Sequence, residues 1–188
     1  MTRLLLIRHA ESTANIGDVS FGNIGAPLTE KAINNQIPNT RKELIEKYGI
    51  NPMDYQKTVV ASEYNRTYQT ALALGFLAID RCSLLNESEI YNSGELFGVD
   101  VIKKHIQGNG WLPEQEIRRA QKIIENIQDG TLDYEIVFSH GMIIAAIVSE
   151  LEKLGLIHTS FDMKRGYVPL QAQIVPIEIS IKSKYHIN

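Results

Sequence analysis

Two histidines stand at the ends of two apolar runs, and each has neighbours suited to binding a phosphoryl group. Arg8 and His9 follow the run 4–7, and His140 follows the run 136–138. A buried strand presents its last side chains at the carboxyl edge of a parallel sheet, where open α/β folds bind ligands. An imidazole can attack phosphorus, and an arginine can bind phosphate through a planar fork of donors. The spacing therefore predicts that Arg8 and both histidines meet at one site.

A second cation and two further donors can be assigned to the same edge. Arg66 comes after the strand-like run 58–60, and Asn15 follows the first histidine closely enough to share its loop. Gly141 opens a predicted helix, whose free N-terminal amides would favour an anion. These residues make His9 a candidate nucleophile and Arg8 a candidate phosphate clamp, with Arg66 as a second cation at the same edge.

The elements that must position these residues follow from the hydrophobic pattern. Short apolar runs alternate with amphipathic stretches, which is typical of an α/β fold. We predict a three-layer α/β/α architecture with a mainly parallel central sheet. The predicted strands are Arg3–Ile7, Thr58–Ala61, Ile136–Phe138 and Gln173–Ser180. The predicted helices are Thr29–Tyr48, with Thr29 as N-cap, Asn65–Ile79, Pro113–Gln128 and Gly141–Leu154.

Length and composition predict one domain over residues 1–188, because 188 residues with 44% hydrophobic content can build a single core. The net charge of −3 and the lack of a long basic run argue against nucleic-acid and lipid partners. No apolar run reaches membrane-spanning length, and motif residues start too early for a signal peptide. Cys82 is the only cysteine, which excludes an internal disulfide and a cysteine zinc cluster. We expect a cytoplasmic protein and leave its oligomeric state open.

Three segments resemble motifs of the histidine phosphatase superfamily, also called phosphoglycerate mutase-like proteins. Arg8-His9-Ala10-Glu11-Ser12 with Asn15 is similar to the opening Arg-His-Gly-Glu-(Thr/Ser)-x-x-Asn, with Ala10 at the glycine position. Ser62, Arg66, Gln69, Thr70 and Ala71 match the pattern Ser-x-x-x-Arg-x-x-Gln-Thr-Ala. Ser139-His140-Gly141 resembles the second histidine motif. The resemblance implies a phosphoglycerate mutase-like fold.

A fourth segment matches the family only in part. Leu28-Thr29-Glu30 resembles the start of Leu-Thr-Glu-x-Gly-x-x-Gln, but Ala32 replaces the glycine. Asn35 stands at the glutamine position, and Gln36 comes one place late.

The resemblance implies phosphoryl transfer through a covalent phosphohistidine on His9, with Arg8, Arg66 and His140 around the phosphoryl oxygens. Asn15 and Gly141 complete the phosphate-binding set that it implies. It also implies a carboxylic acid that protonates the leaving group, in a segment resembling Leu-x-Glu followed by a glycine-rich stretch. We predict Glu89 for this role, with Glu87 and Glu95 as competing candidates. A short lid or rim is expected near 90–112, where the family inserts material over its active site.

Phosphatase is the favoured activity within the family, because only 51 positions separate Glu89 from His140 (140 − 89) and leave little material for a mutase's substrate-covering insertion. A phosphoglycerate mutase and a catalytically weak phosphate-binding regulator are the alternatives. The expected substrate is a small phosphorylated metabolite or a phosphoprotein. No cofactor and no metal are expected, since arginines in the pocket would repel a cation.

Overall fold

The computed structural model describes residues 2–20, 22–87, 112–157 and 168–179. Within these ranges, five strands form one sheet and four α-helices pack on it. The strands are β1 (Thr2–Arg8), β2 (Val59–Ala61), β3 (Ile79–Arg81), β4 (Ile136–Ser139) and β5 (Ile174–Ile179). The helices are α1 (Ile37–Tyr48), α2 (Asn65–Leu74), α3 (Glu114–Gln128) and α4 (Gly141–Lys153).

The sheet has the order β3-β2-β4-β1-β5, and its register brings three strand ends to one level. The first four strands are parallel, and β5 runs antiparallel to β1. Arg8 pairs with Ser139 and Ala61 pairs with Phe138, so β1, β2 and β4 end side by side. The prediction of a mainly parallel sheet is confirmed. The residues that follow these strands begin their loops at the same carboxyl edge.

Side-chain alternation along the strands divides the core into two layers. Leu4 and Leu6 of β1 pack in a cluster with apolar residues of α3 and α4. Leu5 and Ile7 point the other way, into a cluster with residues of α1 and α2. Because successive strand residues face opposite sides, one apolar run can line both layers. The predicted three-layer α/β/α arrangement is confirmed.

One boundary of the predicted helices is wrong, and one strand was not predicted. The helix predicted over Asn65–Ile79 ends at Leu74, because Gly75 adopts a left-handed backbone with φ 111° that closes the helix. Ile79 then starts the edge strand β3, which the sequence analysis did not predict. β3 has only three residues and little burial, so it lacks the apolar run that identified the other strands.

The first helical segment contains a π-helical turn over Ala32–Gln36, in which the amide of Ile37 donates to the carbonyl of Ala32. The predicted N-cap is confirmed, since the Thr29 hydroxyl accepts from the amide of Ala32 at 3.1 Å. An i→i+5 turn holds one residue more than an α-helical turn. This extra residue accounts for the position of Gln36, which comes one place later than the glutamine of the family pattern. The Oε1 of Gln36 accepts from the amide of Glu11 at 2.8 Å.

Some predicted features lie outside the described residues. They are the rim segment near 90–112, apart from Leu112, and the candidate acids Glu89 and Glu95. In the part of the chain that is described, no helix has both the length and the apolar character needed to cross a membrane.

Candidate active site

His9 directly follows β1 and is only 1% exposed. Its Nδ1 lies 2.7 Å from the carbonyl oxygen of Ala10. Since a carbonyl oxygen only accepts, we assign the ring proton to Nδ1, which leaves the lone pair on Nε2. Arg66 Nε lies 3.3 Å from this Nε2. The lone pair of a buried imidazole therefore faces a guanidinium, which is where an anionic electrophile would be held.

The two predicted arginines, Arg8 and Arg66, are both buried at this edge. Arg8 Nη1 donates to the carbonyl of Pro169 at 2.7 Å, while its buried Nε has no partner among the described residues. The Arg66 guanidinium lies 4.4 Å from the centre of the Tyr64 ring. A buried donor without a partner is costly, and an anion bound beside Arg8 would satisfy it.

His140 follows β4, and its ring centroid lies 5.1 Å from that of His9. A chain of hydroxyls fixes its tautomer. The Thr67 hydroxyl donates its only proton to the carbonyl of Tyr64 at 2.7 Å. It must therefore accept the hydrogen bond from the Ser62 hydroxyl, whose Oγ lies 2.8 Å away. With its proton used, the Ser62 hydroxyl accepts from His140 Nε2 at 2.8 Å. Neutral His140 therefore presents a bare Nδ1, which lies 3.5 Å from Glu87 Oε2.

Glu87 is buried between the arginine and the second histidine. Its Oε2 lies 3.2 Å from Arg66 Nη2 and 3.5 Å from His140 Nδ1. Burial raises the pKa of Glu87 above its usual range, although the charges of Arg66 and Arg8 oppose the rise. The raised pKa favours the protonated acid, which can donate a proton.

Both histidines are held in the neutral form. Burial lowers the pKa of His9 well below 6.5, and the charges of Arg66 and Arg8 lower it further. Burial is also the main cause of the low pKa of His140, which the two arginines reinforce. The site thus combines two imidazoles that are unprotonated at neutral pH, two cations and a carboxyl group whose pKa burial raises.

Sequence reasoning preferred Glu89 as the acid, whereas the structure places the competing Glu87 beside the other predicted residues. Leu85-Asn86-Glu87 fits the Leu-x-Glu spacing without an offset, and that is the signal that favours Glu87. The burial of Glu87 could not be read from such a short acidic stretch.

Asn15 and Gly141 lie on the loops that flank the site. Asn15 Oδ1 accepts from the amide and the hydroxyl of Ser12, both at 2.9 Å, and so closes the turn after His9. Gly141 is the first residue of α4. In the described residues, no three His, Cys, Asp or Glu side chains are grouped to hold a metal ion.

Gly141 has room for no side chain. A Cβ there would lie 2.7 Å from Val168 Cγ1 and 3.2 Å from Arg8 Cζ. We expect Gly141→Ala to displace the Arg8 guanidinium and to lower turnover of a phosphate monoester by about 10- to 100-fold, since a shift of about 1 Å can cost that much. Steady-state kinetics of this variant would be compared with those of the double variant Gly141→Ala, Val168→Ala. Full recovery of turnover in the double variant would show that the loss came from the contact with Val168 and not from displacement of the Arg8 guanidinium.

Residues 4–166 match the family described as the histidine phosphatase superfamily, branch 1. No curated protein matches the chain.

Solved structures share the fold over nearly the whole chain. The alpha-ribazole phosphatase from Shigella flexneri is 20% identical, with a TM-score of 0.61, over 95% of this chain and 91% of that chain. A phosphoserine phosphatase mutant from Entamoeba histolytica is 19% identical, with a TM-score of 0.59, over 94% and 90%. A mycobacterial glucosyl-3-phosphoglycerate phosphatase is 17% identical, with a TM-score of 0.58, over 94% and 90%.

Proposed function

This chain belongs to the histidine phosphatase superfamily, branch 1, and from that premise we propose that it hydrolyses phosphate monoesters through a covalent phosphohistidine on His9. The observation that carries the proposal is the unprotonated Nε2 of buried His9, which accepts a hydrogen bond from Arg66 Nε at 3.3 Å. The buried, unpartnered Nε of Arg8 supports it, because a phosphoryl oxygen would satisfy that donor. No metal or cofactor takes part in the proposed reaction.

In the first step, His9 Nε2 attacks phosphorus while the bond from phosphorus to the ester oxygen breaks. Arg8 and Arg66 bind the phosphoryl oxygens, where charge accumulates in the transition state. The bound anion raises the pKa of His140, so that its Nδ1 takes up a proton from solvent as the substrate binds and donates to a phosphoryl oxygen. His140 releases this proton to solvent when inorganic phosphate leaves. Asn15 and the amide of Gly141 supply neutral donors at the rim of the same group.

Glu87 gives its proton to the leaving oxygen and becomes a carboxylate. In the second step it accepts a proton from water as the water oxygen attacks the phosphohistidine and the phosphorus–nitrogen bond breaks. Inorganic phosphate leaves, and neutral His9 and protonated Glu87 are regenerated. One group can serve as acid and then as base because its pKa is raised towards neutrality.

The proposed substrate is a small phosphorylated metabolite, acted on in the cytoplasm. The named activities of the structural neighbours, alpha-ribazole phosphatase, phosphoserine phosphatase and glucosyl-3-phosphoglycerate phosphatase, support this choice for a related fold. A phosphorylated side chain of another protein is the competing substrate. A panel of phosphorylated metabolites and phosphopeptides, ranked by kcat/KM, would separate the two.

The proposal is tested by steady-state hydrolysis of p-nitrophenyl phosphate in the presence of a chelator. We expect turnover with release of inorganic phosphate and no loss of rate on adding the chelator. Absence of turnover together with tight binding of phosphate would replace the proposal with a phosphate-binding function. Faster phosphate exchange between phosphoglycerates than release to water would replace it with a mutase.

A further inference from the structure

The segment that carries Glu87 is irregular. A 3₁₀ turn over Ser83–Leu85 ends at Asn86, whose backbone is extended (φ −66°, ψ 149°), and Glu87 follows directly. No helix or strand ladder fixes the direction of the Glu87 side chain in this stretch. Its position therefore depends on its own contacts with Arg66 and His140 and on the contacts that hold the residues just before it.

Those contacts come from three other parts of the fold. Ser139 Oγ, at the end of β4, donates to the carbonyl of Leu85 at 2.8 Å. Asn86 Nδ2 donates to a Glu63 carboxylate oxygen, and Asn86 Oδ1 accepts from the Glu63 amide, both at 2.8 Å. Arg119 Nη1, from α3, donates to the carbonyl of Asn86. This last carbonyl belongs to the peptide group that joins Asn86 to Glu87.

Arg119, which donates to this carbonyl, lies on a helix that packs into the core. It is half-buried on α3, a helix of fifteen residues whose apolar face packs with α4 against the sheet. Its charge also acts on His140, where it helps to lower the pKa. The guanidinium thus lies within electrostatic reach of the active site, although it binds the backbone beside Glu87.

We propose that Arg119 is a positioning residue that holds the Glu87 carboxyl group in place for proton transfer to the leaving group. This inference rests on the proposed phosphatase function. An arginine suits the role because its planar fork is preorganised and loses little freedom for each hydrogen bond formed. Loss of the contact would let the Asn86–Glu87 peptide group move, and general acid catalysis depends on a donor at hydrogen-bonding distance from the leaving oxygen.

A displaced acid produces a specific kinetic signature. A p-nitrophenolate ion leaves readily without a proton, whereas an alkoxide does not, so formation of the phosphohistidine depends strongly on the acid only with the alkyl ester. Hydrolysis of the phosphohistidine is common to both esters, so the two are compared by kcat/KM, which reports the steps up to departure of the leaving group. A general loss of structure would instead lower the rates of both substrates together.

The experiment measures kcat/KM for p-nitrophenyl phosphate and for glycerol 1-phosphate with Arg119→Met, Arg119→Lys and Arg118→Met. Arg118 is the matched control, because its side chain is 75% exposed and pairs with Glu114 on the same helix. For Arg119→Met we expect at least about a tenfold fall with the alkyl ester and less than about a threefold fall with the aryl ester, part of the range for general acid catalysis. Arg119→Lys should restore part of the difference, and Arg118→Met should match wild type.

Each outcome bears on a separate claim. If the wild-type protein hydrolyses neither ester, the phosphatase function itself fails. If the wild type is active but Arg119→Met lowers both rates equally, or neither, the positioning role is overturned. If Arg119→Met does not fold, the same two substrates are measured with Ser139→Ala, which removes the neighbouring contact to the carbonyl of Leu85. This variant should also lose more activity with the alkyl ester than with the aryl ester.

Discussion

Replacing His9 with alanine is expected to abolish both turnover and covalent labelling of the protein. The reason is that Nε2 of His9 carries the lone pair that faces Arg66 at 3.3 Å, and alanine provides no nucleophile. We expect kcat to fall by roughly 10⁴- to 10⁶-fold, the scale seen when a covalent nucleophile is removed. The measurement is a rapid quench with a ³²P-labelled aryl phosphate, followed by a test for phosphate that is labile in acid and stable in base.

His140→Asn is the matched control for that experiment, because His140 is the other buried histidine of the site. Its ring nitrogens face Ser62 and Glu87, so it is not placed to replace the attacking group. We expect slower labelling in this variant, with the phosphate still on His9 when the labelled peptide is mapped. Labelling of His9→Ala to the wild-type level would contradict the proposed mechanism. Labelling of the wild-type protein on His140 alone would identify His140, and not His9, as the nucleophile.

The parallel strands were the part of the fold most open to prediction. Each of β1 and β4 is an apolar run buried on both faces, so its composition identifies it and its last residue marks the carboxyl edge. Once both ends lie at one edge, Arg8, His9 and His140 must approach one another. The short edge strand β3 could not be found in this way, because its residues Ile79–Arg81 are partly exposed and carry no apolar pattern.

The irregular parts of the site were harder to predict. Gln36 reaches the amide of Glu11 because the π-helical turn over Ala32–Gln36 contains one residue more than an α-helical turn. Such a turn has no clear signature in a single sequence. The choice of Glu87 depends on its burial beside Arg66, which is a property of the assembled fold. Motif spacing alone left this choice open among three glutamates.

Glu87→Gln is expected to remove the acid while leaving the nucleophile intact. Glutamine keeps the size of the side chain and can still contact Arg66, but its amide cannot supply a proton to an alkoxide. We expect kcat/KM for an alkyl phosphate to fall by about 10²- to 10⁴-fold, the usual contribution of general acid catalysis, and a much smaller fall in kcat/KM for p-nitrophenyl phosphate. Phosphohistidine should still form from the aryl ester. Glu89→Gln is the control, and a larger effect there than in Glu87→Gln would reassign the acid.

The dependence of kcat/KM on pH gives a second test of Glu87. Because burial raises its pKa, the protonated acid persists above the usual range of a glutamate, and activity should be lost as the pH rises through that raised pKa. The low pKa of His9 keeps the nucleophile neutral down to a pH well below 6.5, so loss of the nucleophile belongs to the acid limb. Glu87→Gln should therefore lose the alkaline limb and keep the acid limb. An alkaline limb unchanged in Glu87→Gln would mean that another group donates the proton. The same substitution thus separates a residue that merely balances the charge of Arg66 from one that transfers a proton, because only the second role ties the rate to the ionisation of Glu87.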